Sequence, residues 1–97
     1  MADNFSIERE QQPNGGRYVV RLPDGSEAEM TWHDGPDGVI VADHTFVPPE
    51  HRGSGLAEAL VARAMADARS EGFRIHPTCS YVVAQFRRHP EWADLRA

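Results

Sequence analysis

Four consecutive residues, Arg52-Gly53-Ser54-Gly55, stand where an apolar run ends and a long amphipathic run begins. Their types suit the holding of an anion. The first turn of a helix leaves backbone N–H groups unpaired, along a dipole that favours negative charge. Gly53 and Gly55 carry no Cβ, so a phosphate can approach the main chain closely. Arg52 adds a charged hydrogen-bond donor. An ordinary strand-to-helix turn with glycines for tight packing has the same spacing. Two other phosphate motifs do not fit. A Walker loop needs Gly-x4-Gly-Lys-Ser/Thr, which is absent. A dinucleotide fingerprint needs a third glycine where Glu58 stands, and the chain is too short for a full doubly wound domain.

Three other side chains offer chemistry. Cys79 is the sole thiol. It falls at the predicted start of the last helix, where the positive end of the dipole favours a thiolate. A lone cysteine is equally at home as a small core residue. Tyr81 follows in the first turn of that helix, either as a proton donor or as a packed, hydrogen-bonded tyrosine. His44 lies on the most apolar predicted strand. Imidazole exchanges protons near neutrality, which suits a base, but a structural or substrate-lining histidine fits as well. Arg87 and Arg88 read as a solvated helix end or as partners for a further phosphate. The histidines and Cys79 show no paired spacing such as Cys-x2-Cys or His-x3-His, so no metal site is expected.

The elements that must position these residues follow from periodicity and turns. A first strand is expected over Phe5 to Gln11, then a turn at Pro13-Asn14-Gly15-Gly16 and a second strand over Arg17 to Leu22. Pro23-Asp24-Gly25-Ser26 is the next turn. In Glu27 to His33, Ala28, Met30 and Trp32 alternate with Glu27, Glu29 and Thr31, which marks a half-buried strand. After a third turn at Asp34-Gly35-Pro36-Asp37-Gly38, Val39 to Val47 forms the fourth strand. From about Gly55 to Ser70 a helix turns Leu56, Ala57, Leu60, Val61, Ala64, Met65 and Ala68 to one face and Glu58, Arg63, Asp67 and Arg69 to the other. Gly72 suits its C-cap. Phe73 to His76 is a short fifth strand, parallel to the fourth through a βαβ crossover. The last helix, from Cys79 or Ser80 to Arg88, should carry Val82, Val83 and Phe86 inward, with Trp92 and Leu95 packed in a final turn. The fold class is therefore α/β (α+β): a mostly antiparallel twisted sheet with a βαβ unit and two main helices.

The composition bounds the rest. The 97 residues suit a single domain, 1–97. A chain of that size buries roughly 60–65% of its unfolded surface, enough for one core. Hydrophobic residues make up 40% and charged residues 26%, as in soluble globular proteins. No apolar run approaches the ~20 residues of a membrane span. Met1-Ala2-Asp3-Asn4 is acidic and does not read as a signal peptide. One cysteine excludes an internal disulfide and fits a reducing cytoplasm. The net charge of −5 argues against a nucleic-acid surface and is compatible with a cationic acceptor.

Two runs carry a family resemblance. Val47-x-Pro49-x-x-Arg52-Gly53-x-Gly55-Leu56-Ala57 resembles the acyl-CoA pyrophosphate loop of the GCN5-related N-acetyltransferases. Pro77-Thr78-Cys79-Ser80-Tyr81-Val82, followed by Phe86-x-x-His89-Pro90-Glu91, is similar to the small single-domain subfamily with a Cys and Gly signature, the YjdJ type. The resemblance covers roughly residues 16–95. It implies acetyl-CoA or CoA as co-substrate and acetyl transfer to an amine, small or on a protein or peptide. It implies that the backbone of Gly53 through Ala57, Ser54 and Leu56 included, holds the pyrophosphate, and that main-chain groups of Thr45 and Val47 pair with the pantetheine arm as an added strand does. Pro48 and Pro49 should make the fourth strand splay from the fifth there. Cys79 would stand next to the acyl thioester as nucleophile, base or lining. Two departures stand out. Glu50 replaces the common Gln or Arg before the loop. Phe86-Arg87-Arg88 stands where many relatives have a tyrosine that protonates the leaving thiolate. A non-catalytic CoA-binding or interaction module is the alternative that this second departure favours.

Overall fold

The computed structural model describes residues 5–97; the acidic Met1–Asn4 run lies outside them. Five strands lie side by side in chain order: β1 (Glu8–Gln12), β2 (Gly15–Arg21), β3 (Glu27–Asp34), β4 (Val39–Phe46) and β5 (Arg74–Pro77). The first four are antiparallel, and β5 runs parallel to β4. The crossover between them is α1 (Leu56–Glu71), and α2 (Ser80–Arg88) follows β5. This is the expected mixed sheet with a βαβ unit and two helices. Among the described residues no helix is long and apolar enough to cross a membrane.

The core follows the periodicities. Ala28, Met30 and Trp32 of β3 are buried beneath α1, which contributes Leu56, Leu60, Val61, Ala64, Met65 and Ala68. Each fully buried aliphatic side chain of this kind contributes roughly 1.5–3 kcal/mol. Gly72 ends α1 in the left-handed region (φ 80°), and its N–H donates to the Ala68 carbonyl at 2.9 Å. Phe86 of α2 and Leu95 of the closing turn Pro90–Leu95 complete the core, with Trp92 packed against it. Val83, expected inward, is only half-buried, and Gln85 takes a buried position on that face.

Three local differences have physical reasons. β1 begins at Glu8, not Phe5, because Phe5 and Ile7 drop onto the core and Arg63 Nη1 holds the Ile7 carbonyl at 3.2 Å. Gly15 and Gly16 belong to β2, not to the turn. A Cβ on Gly15 would lie 2.3 Å from the Trp32 carbonyl oxygen, and one on Gly16 2.6 Å from the Trp32 ring. Gly15 admits the backbone of β3, and Gly16 admits the indole. Asp67, expected on the solvent face, accepts the Tyr18 hydroxyl at 2.8 Å and Arg63 Nε at 3.2 Å. Tyr18 is wholly buried, and its hydroxyl requires such a partner.

A β-bulge in β4 has the largest consequence for the site. Trp32 pairs with Ala42 but Thr31 with His44, so Asp43 is the extra residue. Alternation would put Ala42 and Thr45 on opposite faces. The bulge resets it, and Thr45 pairs with buried Met30, on the helix side of the sheet. Asp43 is held on the other face by Thr31 Oγ1 at 2.5 Å and His33 Nδ1 at 2.6 Å.

Candidate functional site

The β4–β5 ladder stops early. Its pairs run from Val39–Arg74 to Ala42–Pro77. The Ala42 carbonyl then accepts the N–H groups of both Thr78 (3.0 Å) and Cys79 (3.1 Å), which turns the chain away into α2. Among the described residues the rest of β4 has no strand on that side, so the splay begins at Asp43, ahead of the prolines. A cavity of about 380 Å³ opens there, lined by Thr45, Phe46, Val47, His51, Arg52, Gly53, Gly55, Leu56, Ala57, Glu58 and Tyr81.

One wall is the glycine loop. Pro48 leads into a tight helical turn, Pro49–His51, in which the His51 N–H donates to the Pro48 carbonyl at 2.9 Å. Gly53 (φ 83°) and Gly55 (φ 88°) occupy the left-handed region, and Gly55 caps α1 without a side-chain bond. The N–H groups of Gly53 through Glu58 find no acceptor among the described residues. Left-handed turns next to a helix start gather successive N–H groups into an anion-binding concavity. A Cβ on Gly53 would meet nothing within 4 Å, so the space before it is open. The positive φ values favour glycine by themselves, while the free donors and open space point to an anion.

The side chains of the loop serve its shape. Ser54 Oγ donates to the His51 carbonyl at 2.5 Å, which leaves only the Ser54 N–H for a ligand. Leu56 is buried and offers its backbone alone. Arg52 Nε donates to the Val47 carbonyl at 3.1 Å. That bond takes up one of the two Val47 groups expected to face the pantetheine arm.

Tyr81 lines the opposite wall, half-buried. Burial pushes its pKa up, the Glu58 carboxylate adds to the effect and Arg88 opposes it, so the hydroxyl keeps its proton. Cys79 is the N-cap of α2, with no side-chain capping bond. Its Sγ lies 3.6 Å from Thr45 Oγ1 and packs on the core, behind the Thr45 that lines the cavity. Phe86 is buried and Arg87 and Arg88 follow it, so the end of α2 carries no tyrosine. His44 is not brought to the cavity. It pairs with Thr31 and reaches Glu29 at 3.8 Å. His51, Phe46 and Glu58 are cavity residues that sequence reasoning missed. His51 and Glu58 flank the recognised loop, and that adjacency was the available signal.

The free N–H donors suit an anionic group such as a diphosphate, and the unpaired side of β4 suits an extended, amide-bearing arm. The profile of the GCN5-related N-acetyl-transferase family matches residues 17–95. The chain belongs to this family. Its fold agrees with the solution structure of a GCN5-like candidate N-acetyltransferase from Staphylococcus aureus at 23% identity and a TM-score of 0.74, over 99% of this chain and 91% of that one. In this acetyltransferase-family domain the loop, the splayed strand and the start of α2 thus meet at one cleft.

Proposed function

We propose that the domain transfers the acetyl group of acetyl-CoA to an amine. The observation that carries this reading is a single cleft bounded by the unpaired N–H groups of Gly53–Glu58, by Thr45–Val47 and by Tyr81. The loop holds the diphosphate, and the free side of β4 aligns the arm that ends in the thioester. Both substrates bound together convert a bimolecular encounter into an oriented one. The neutral amine attacks the acetyl carbon, the C–N bond forms and the C–S bond breaks. Tyr81 gives its proton to the departing thiolate and regains one from the acylated nitrogen through solvent. Cys79, behind Thr45, is the alternative first acceptor: its thiol would take the acetyl group with release of CoA, and the amine would then displace the thiol from the new thioester.

A two-residue loop, Pro13-Asn14, joins β1 and β2 with no helix inserted between them. The acceptor in this reading is a protein or peptide amine or a small amine. The acidic net charge suits a cationic amine and disfavours nucleic acid, and the single thiol suits the cytoplasm. Calorimetry with CoA and with pantetheine tests the binding half, and equal affinities would refute it. Acetyl-CoA turnover against a panel of amines and peptides tests the chemical half. Tight CoA binding with no turnover on any acceptor would leave a binding module.

A further inference from the structure

Resting on the CoA reading, we propose that His51 is a pH-tuned contact to the ligand's diphosphate, oriented by Asp24 of the β2–β3 turn. His51 lines the cavity from the segment between β4 and α1. Its Nε2 lies 3.0 Å from Asp24 Oδ2, and its carbonyl takes the Ser54 hydroxyl, so ring and backbone are both fixed. Asp24 is itself fixed by the Ser26 hydroxyl at 2.6 Å and the Ser26 N–H at 3.0 Å. With one ring nitrogen committed to Asp24, Nδ1 is the atom left for a ligand. A neutral ring that donates from Nε2 to Asp24 presents a bare lone pair at Nδ1, which repels a phosphate oxygen. A protonated ring presents a second N–H and a positive charge.

The surrounding charges hold steady or can be controlled. The Ser26 hydroxyl first, and His51 next, keep Asp24 well below the usual carboxylate range, so it stays anionic near neutrality. Arg52 is always charged. Glu58 of α1 and Tyr81 of α2 line the same cavity, and Glu50 is the chain neighbour. Glu58→Gln is therefore the control for an acidic background. The charged ring holds the anion more tightly than the neutral ring does. Ligand affinity then rises as pH falls.

The probe is 3′-dephospho-CoA, whose diphosphate stays ionised throughout the window. Its dissociation constant should tighten about tenfold between pH 8 and pH 5.5, the scale of one added charge-assisted hydrogen bond. Pantetheine should show no such slope. His51→Asn should bind weakly and without slope, and His51→Arg tightly and without slope. Asp24→Asn should move the slope to lower pH, because the ring loses its counter-charge. Thermal melts establish that each variant is folded, and the His51 ring titration by NMR should shift upward on ligand binding. A flat wild-type profile, or a slope retained in His51→Asn, overturns the inference while CoA binding stands. Absence of any CoA binding overturns the proposed function and this inference together.

Discussion

Cys79 Sγ and Thr45 Oγ1 lie 3.6 Å apart, joining the cap of α2 to the strand that borders the cleft. The pair exists because the bulge at Asp43 turns Thr45 to the helix side of the sheet. If the thiol receives the acetyl group, incubation with acetyl-CoA gives a hydroxylamine-sensitive adduct. Cys79→Ser then lowers turnover by about 10²-fold or more while CoA affinity holds. Intact turnover per folded molecule in Cys79→Ala, with no adduct, would return the thiol to the core.

Gly53 tests the anion loop. A valine there would be strained at φ 83° whatever the ligand, so loss of binding in Gly53→Val alone decides little. Asparagine tolerates the left-handed region and places its side chain in the open space. Gly53→Asn should therefore keep its melting temperature and lose at least ~1.4 kcal/mol of CoA affinity, a tenfold change. Pantetheine affinity should be unaltered. A variant that binds CoA normally would make the loop a structural turn.

Tyr81→Phe should leave the CoA dissociation constant unchanged and cut kcat by roughly 10²-fold. Since burial and Glu58 raise the hydroxyl's pKa, the wild-type kcat should fall in alkali only above about pH 10. An alkaline limb unchanged in the phenylalanine variant would assign the proton to another group.

Tyr18 gives a stability prediction. Burial first, and its bond to Asp67 next, raise its pKa in the folded state. A group whose folded pKa is raised contributes stability that is complete below its unfolded pKa of about 10 and is lost as pH rises further. Tyr81 has the same sign. Urea titrations of the wild type should show stability falling from pH 9 to pH 11. Tyr18→Phe should fall less steeply and cost about 1 kcal/mol at neutral pH through the lost hydrogen bond. Parallel profiles would place the alkaline sensitivity elsewhere.

Much of this domain was legible in residue order. Three turn clusters announced three hairpins, the apolar spacing of Leu56 to Ala68 announced α1, and Arg52-Gly53-Ser54-Gly55 announced the loop. What was not legible depends on pairing across the sheet. Gly15 and Gly16 read as turn residues because nothing local reveals that Trp32 lies against them. The Asp43 bulge has no local signature either, since it is a difference in count between two strands. His44 and Thr45 therefore carried parities that only the folded register assigns: Thr45 went to the cleft and His44 to the opposite face. Asp24 and His51 are 27 positions apart in sequence, and their contact appears only once the β2–β3 turn meets the loop.

The early end of the β4–β5 ladder makes β4 an interior strand for half its length and an edge strand for the rest. From Asp43 to Phe46 its main chain borders the split, and Phe46 is 41% exposed beside it. Such an edge invites pairing with a second chain and aggregation. Two features restrain that hazard. The edge is only a few residues long, and Pro48 and Pro49, which have no N–H to donate, prevent its extension. On the proposed function, a ligand lying along β4 would cover the remainder, so bound acetyl-CoA or CoA should also keep this edge from pairing with another chain.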